Sequence, residues 1–315
     1  MEFILLLIGL ALIIKSADVL IDSTSKIAQK YGVSTFIIGI TVIAFGTSAP
    51  ELAVGLISAV NKTNQLALGN IVGSAMSNTA LIVGISAVIF PLIVKTDVIK
   101  REIPMLIAVQ SILTFMVLYD NELTRFEGLI LVVGFIGFIL YIIKNAKKSM
   151  PIPNDNQVSD NTTQSSILKL ILFSIISLIG LFIGGNLTVS NSTKIAASLG
   201  LSETIIGLTV VAIATTLPEL VTSIMAVKKK EPDIVLGNCI GSNLFNILLV
   251  LGTSSMINPI LVQENMTFDL VIAALLTVVI FLISLFTKKI SRFWGILLII
   301  IYVSYIFFKV ISVFN

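Results

Sequence analysis

The chain has 315 residues, 56% of them hydrophobic and only 12% charged, with no histidine and a single cysteine, Cys239. So apolar a composition excludes a soluble globular domain and reads as an integral membrane protein. The missing histidine removes zinc-peptidase motifs and histidine proton relays, the lone cysteine removes a disulfide framework or thiolate cluster, and a net charge of +3 carries no nucleic-acid signal.

Ten apolar runs are predicted to cross the membrane as helices, at residues 3–26, 36–60, 68–93, 102–119, 124–144, 167–194, 204–227, 234–258, 266–287 and 292–313. The first has no basic n-region and leads into Lys15, Asp18 and Asp22 instead of a cleavage site, so it is expected to be retained. Those three charges are expected to snorkel or to pair with each other near a cavity mouth. Residues 145–166, rich in Asn, Asp, Ser, Thr and Pro, read as a flexible cytoplasmic linker between a first half, 1–144, and a second, 167–315. If the N-terminus is outside, fifteen Lys and Arg residues fall on the cytoplasmic side and only Lys62, Arg125, Lys194 and Lys309 outside. That asymmetry predicts an external N-terminus.

The two halves are copies. Ile38 to Leu52, IGITVIAFGTSAPEL, recurs 168 positions later as IGLTVVAIATTLPEL, Ile206 to Leu220. LGNIVGSAMSN, from Leu68, recurs as LGNCIGSNLFN, from Leu236, with no gap between the paired motifs. Five spans per half is an odd number, so the second copy is expected to enter the membrane inverted, with a shared site near the midplane where the halves meet.

Each copy places one glutamate, Glu51 or Glu219, inside an apolar membrane-length segment. An ionisable group there costs at least a few kcal/mol and marks a functional site, and the motif segments hold no basic partner for a structural ion pair. Pro50 and Pro218 precede the glutamates, so both helices are expected to break and to release backbone carbonyls such as that of Ala44 and that of Ala212 or a neighbour. Thr47 and Thr215 lie four residues before the glutamates, on the same helical face, and Ser48 and Thr216 follow them. The second motif adds Ser74 and Asn78, with Ser242 and Asn246 as equivalents. Taken singly, any of these hydroxyls could merely satisfy its own helix. Together they form an all-oxygen set with two negative charges, which suits a hard cation such as calcium or sodium better than magnesium or a transition metal. Gly69 and Gly73, with Gly237 and Gly241, have the small-xxx-small spacing that lets helices approach closely.

Through GTSAPEL with LGNIVGSAMSN, and ATTLPEL with LGNCIGSNLFN, the chain resembles the calcium/cation antiporter superfamily over nearly its whole length, and within it the prokaryotic sodium/calcium exchangers. The resemblance implies an all-α fold of two inverted five-helix units, four central ion sites built by spans two, three, seven and eight, and alternating access by sliding of spans one and six. It implies that Glu51 and Glu219 hold calcium with the backbone at Thr47 and Thr215. Sodium sites would use Thr47, Ser48, Ser242 and the Ala44 carbonyl on one side, and Thr215, Thr216, Ser74 and the Ala212 carbonyl on the other, with Asn78 and Asn246 lining the middle. Two departures stand out. Asn246 replaces an aspartate common among relatives, including the potassium-dependent branch, and Ala214 stands where glycine is usual. The expected function is therefore sodium/calcium antiport in the cell membrane, electrogenic and potassium-independent, by a monomer with no obligate protein partner and no cofactor beyond the transported Ca2+ and Na+. Calcium/proton exchange on the same scaffold is the nearest alternative and a passive cation channel a remoter one. No nucleophile–base pair points to an enzyme.

Overall fold

A computed structural model describes residues 1–148, 167–198, 211–262 and 264–314. The described residues are almost entirely helical, and eight of the described helices are long and apolar enough to cross a membrane. A ninth crossing is a bent pair. The seventh predicted span is represented by 17 helical residues, and its beginning falls outside the described residues, as does most of the predicted linker.

Helix α1, Glu2–Tyr31, ends at Gly32, whose left-handed backbone (φ 63°) lets its N–H reach back to the carbonyls of Ala28 and Gln29. Ser34 then caps the next helix by accepting from the Phe36 N–H. That span is α2, Thr35–Ile38, a π-helical stretch at Gly39–Ile43, and α3, Ala44–Thr47. It breaks at Ser48 and resumes as α4, Ala49–Val60, bent by 46°. The third span is α5, Asn64–Met76, a π-helical stretch at Ser77–Ile82, and α6, Val83–Ile89. Helices α7, Ile103–Asp120, and α8, Arg125–Lys148, complete the first half.

The second half opens with α9, Ile167–Ser198, followed by α10, Ala212–Lys228. Then come α11, Pro232–Phe245, a π-helical stretch at Asn246–Leu251, and α12, Gly252–Ile257. Helices α13, Glu264–Thr287, and α14, Arg292–Phe314, end the chain. Four two-residue strands tie the loops together in pairs: β1, Leu92–Ile93, with β4, Lys289–Ile290, and β2, Glu122–Leu123, with β3, Ile260–Leu261.

The interior is layered by lipid contact. The α11 span is buried along nearly its whole length, whereas α8 and α14 turn Phe126, Val133, Phe293 and Phe307 outward. Helices α1 and α9 pack on each other more extensively than any other pair. Glycines make the approach possible: a Cβ at Gly184 would lie 2.9 Å from the Gly9 carbonyl oxygen. Gly237 and Gly241 of α11 do the same against the second span, where Cβ atoms would meet the Phe36 and Ile40 carbonyl oxygens at 2.5 Å. For Gly69 and Gly73 the residues that the duplication assigns as partners, 204 and 208, lie outside the described residues.

One expectation about the breaks is corrected. The first copy does break at Ser48, but α10 runs through Pro218 as one helix from Ala212 to Lys228. The difference lies one turn upstream of the prolines, where the first copy has Gly46 and the second Ala214, so a strong helix former carries the second copy past a lost hydrogen bond. A Cβ at Gly46 would meet the tip of the Leu178 side chain of α9, which would have to turn aside.

Candidate cation site

Glu51 stands in the first turn of α4 and Glu219 in the middle of α10, both with no exposed surface. Thr47, Ser48, Thr215, Ser74, Ser242, Asn78 and Asn246 are equally sealed, and Thr216 nearly so. Ala44 is buried in α3, and Ala212 is the first residue of α10. All the side chains named from sequence therefore come from the four interior spans, and the halves interlock through them. Ser48 donates to Glu219 Oε1 across the halves at 3.1 Å, and Asn246 Nδ2 donates to Ser74 Oγ at 3.3 Å. Thr215 and Ser74 face Glu51, Ser242 and Thr47 face Glu219, and the two carboxyl groups lie within each other's electrostatic reach.

Packed over this point is α9, whose Gly185 lies against both prolines. A Cβ there would be 3.0 Å from Pro50 Cγ and 3.5 Å from Pro218 Cγ. Both Pro-Glu motifs thus share one roof.

Six buried oxygens on these residues have no well-formed hydrogen bond within the protein: both of Glu51, Oε2 of Glu219, Oδ1 of Asn78, Oδ1 of Asn246 and the Ser242 hydroxyl. Leaving such groups unsatisfied costs about 1–3 kcal/mol each, more for charged ones. Neither glutamate is in an ion pair among the described residues, so no structural salt bridge accounts for them. A cage of acceptors with two carboxylates is chemically a receptor for a hard cation. Among the described residues no cluster of three or more His, Cys, Asp or Glu exists, and Cys239 is a buried free thiol, so the donor set has no soft or transition-metal character.

The Ala44 carbonyl differs from expectation. It still accepts from the Ser48 N–H at 3.0 Å, because the break begins after Ser48, and it offers only its second lone pair. The backbone acceptor that Pro50 deprives of a donor is four residues back, at Gly46. The charges of α1 pair as anticipated within the helix, Lys15 with Asp18 at 3.9 Å, but Asp18 also reaches Lys229 at 2.8 Å and Asp22 pairs with Lys26 at 2.8 Å.

Four polar residues beside the site were not singled out from sequence. Asn70 and Asn238 accept from the hydroxyls of Thr215 and Thr47, at 3.0 and 3.2 Å. Asn243 accepts from Asn78 Nδ2 at 3.0 Å and donates to Thr79 at 3.1 Å. The first two stand at equivalent places in LGN of both motifs, and that identity was the available signal. Asn243 is matched by Ala75, so duplication could not flag it.

The sodium/calcium exchanger protein family model matches residues 1–144 and 169–311. The chain belongs to that family. It is 37% identical over 264 residues to the inner membrane protein YrbG of Escherichia coli, covering 81% of this chain and 79% of that one. To the sodium/calcium exchanger MaX1 of Methanosarcina acetivorans it is 32% identical over 344 residues, covering 97% of both. Its fold matches the sodium-calcium exchanger NCX_Mj, in a crystal soaked with 100 mM Na+ and 10 mM Sr2+, at a TM-score of 0.85 and 29% identity over 97% of each chain. Family membership makes the chain a multi-pass cell-membrane transporter that exchanges cations, and not an enzyme.

Proposed function

We propose that the protein is a sodium/calcium antiporter working by alternating access, in which both loads compete for Glu51 and Glu219. The observation that carries this reading is the set of six buried oxygens without a well-formed hydrogen bond, contributed by both halves and including both carboxylates. Two negative charges close together in a dry interior repel strongly, so the site favours neutralisation by one calcium or by several sodium ions before the protein changes conformation. Calcium is held chiefly by the carboxylates and by the backbone at Thr47 and Thr215. Sodium depends more on Thr47, Ser48, Ser242 and the Ala44 carbonyl in one half, and on Thr215, Thr216, Ser74 and the Ala212 carbonyl in the other. Asn78 and Asn246 line the centre. With an amide at Asn246 in place of a third carboxylate, no extra charge calls for potassium. Exchange of more sodium charge than calcium charge makes turnover electrogenic, and one chain carries the complete site.

The same reading has ten spans in two inverted halves with the N-terminus outside. Support comes from the strand pairs. Under the 168-residue shift β1 corresponds to β3, yet β1 pairs with β4 at one end of α7 while β3 pairs with β2 at the other. Equivalent loops at opposite ends of the bundle are what inversion requires. The β1/β4 end carries Lys95, Lys100, Arg101, Lys288, Lys289 and Arg292, as a cytoplasmic face should.

The test is flux in reconstituted vesicles. Sodium-loaded vesicles are expected to take up calcium, faster when the interior is clamped positive because net positive charge leaves with the sodium, and Glu51→Gln is expected to abolish uptake. Near-normal exchange in that variant would sink the assignment. Calcium uptake driven by a proton gradient without sodium would favour calcium/proton exchange, and sodium-independent flux would favour a channel.

A further inference from the structure

We propose that Asn70 and Asn238 are positioning residues that aim the hydroxyls of Thr215 and Thr47 at the transported ion, an inference that rests on the site reading above. A threonine hydroxyl has one proton and two lone pairs, so its role is decided by where the proton goes. At many other threonines of this protein the proton goes to the carbonyl four residues back: Thr24 to Leu20 at 2.6 Å, Thr41 to Ile37 at 2.6 Å, Thr188 to Gly184 at 2.8 Å and Thr253 to Leu249 at 2.6 Å. Such a hydroxyl is spent on its own helix. Thr47 and Thr215 each have an acceptor in the opposite half. Thr215 donates to Asn70 Oδ1 at 3.0 Å and Thr47 to Asn238 Oδ1 at 3.2 Å, each bond joining opposite halves of the chain. The contact of Thr47 with its own-helix carbonyl, at Ala44, is longer at 3.4 Å.

The two bonds are equivalent under the 168-residue shift, since 47 and 70 become 215 and 238. All four residues are sealed from solvent. With a cation between the carboxylates, the amide oxygen is the acceptor that takes the threonine proton, so each hydroxyl turns its lone pairs to the ion. The amides are held unequally. Asn238 Nδ2 donates to Ser223 at 3.4 Å, whereas Gly55 occupies the corresponding place in the other copy and Asn70 Nδ2 has no partner. Asn238 is therefore the better braced member and the sharper probe.

The test is a double-mutant cycle, Asn238→Ala and Thr47→Val singly and together, in proteoliposomes. Losing one such hydrogen bond is expected to raise the sodium concentration that half-saturates calcium efflux about fivefold, with the calcium KM changed less than twofold. In the Thr47→Val background Asn238→Ala should add nothing, and Asn238→Asp, which keeps an acceptor oxygen in place, should return sodium half-saturation toward wild type. Effects that multiply in the double variant, or an equal loss for both ions, overturn the proposal. The same cycle read as the NaCl-induced rise in melting temperature of the detergent-solubilised protein needs no transport. A wild-type rise that survives intact in Asn238→Ala, or no rise in wild type, also overturns it. Failure of sodium-driven flux in wild type, with the melting cycle still coupled, would sink the antiport reading and leave the hydrogen-bond role standing.

Discussion

At Gly241 the backbone of α11 lies so close to the second span that a Cβ would stand 2.5 Å from the Ile40 carbonyl oxygen and 2.8 Å from Ile40 Cα. Backbone cannot rotate away as a side-chain tip can. Gly241→Ala is therefore expected to destabilise the protein by about 1–3 kcal/mol, as overpacking does, and to displace the neighbouring Ser242. A fall in melting temperature together with weakened calcium uptake would bear this out, and wild-type stability would refute it. Residues like this, and the two glutamates, are legible in sequence because a charge without a basic partner, repeated at equivalent places in two lipid-length segments, or small residues repeated at helical spacing, have few physical explanations. The asparagines at 70 and 238 were harder to read. An amide in a membrane helix has many uses, and which one applies depends on a threonine more than a hundred positions away.

Helices were legible by their length and hydropathy, and their interruptions were not. Proline marks a lost hydrogen bond, but whether a helix breaks or merely carries the loss depends on neighbours, here Gly46 under Leu178 against Ala214. The π-helical stretches at Ser77–Ile82 and Asn246–Leu251 were likewise invisible, since one extra residue in a turn leaves no periodic trace over so short a run. Between α13 and α14 a buried ion pair, Lys309 to Asp269 Oδ2 at 2.7 Å, fastens two otherwise apolar elements. Asp269 is nearly sealed. Asp269→Ala removes this pair and is expected to cost about 2 kcal/mol, less than a fully buried pair because Lys309 retains some exposure. Thermal unfolding in detergent would measure it, and an unchanged midpoint would show the pair to be dispensable.

Across the whole molecule, β1/β4 and β2/β3 mark opposite ends of the bundle. A thiol scan reads which end is which, because the native Cys239 is buried and gives little background. In right-side-out vesicles Asp120→Cys is expected to react with a membrane-impermeant maleimide at once, and Lys289→Cys only after permeabilisation. The reverse order would turn the protein over. A final consequence follows from the mismatch between the hinged α3/α4 rod and its unbroken counterpart α10. Were the copies mechanically interchangeable, opening toward one face would be the mirror task of opening toward the other. With one bent and one unbroken limb the outward-open and inward-open states are not mirror images, so they are expected to differ in free energy and in population at equal ion concentrations on both sides, while the equilibrium of exchange stays fixed by the gradients alone.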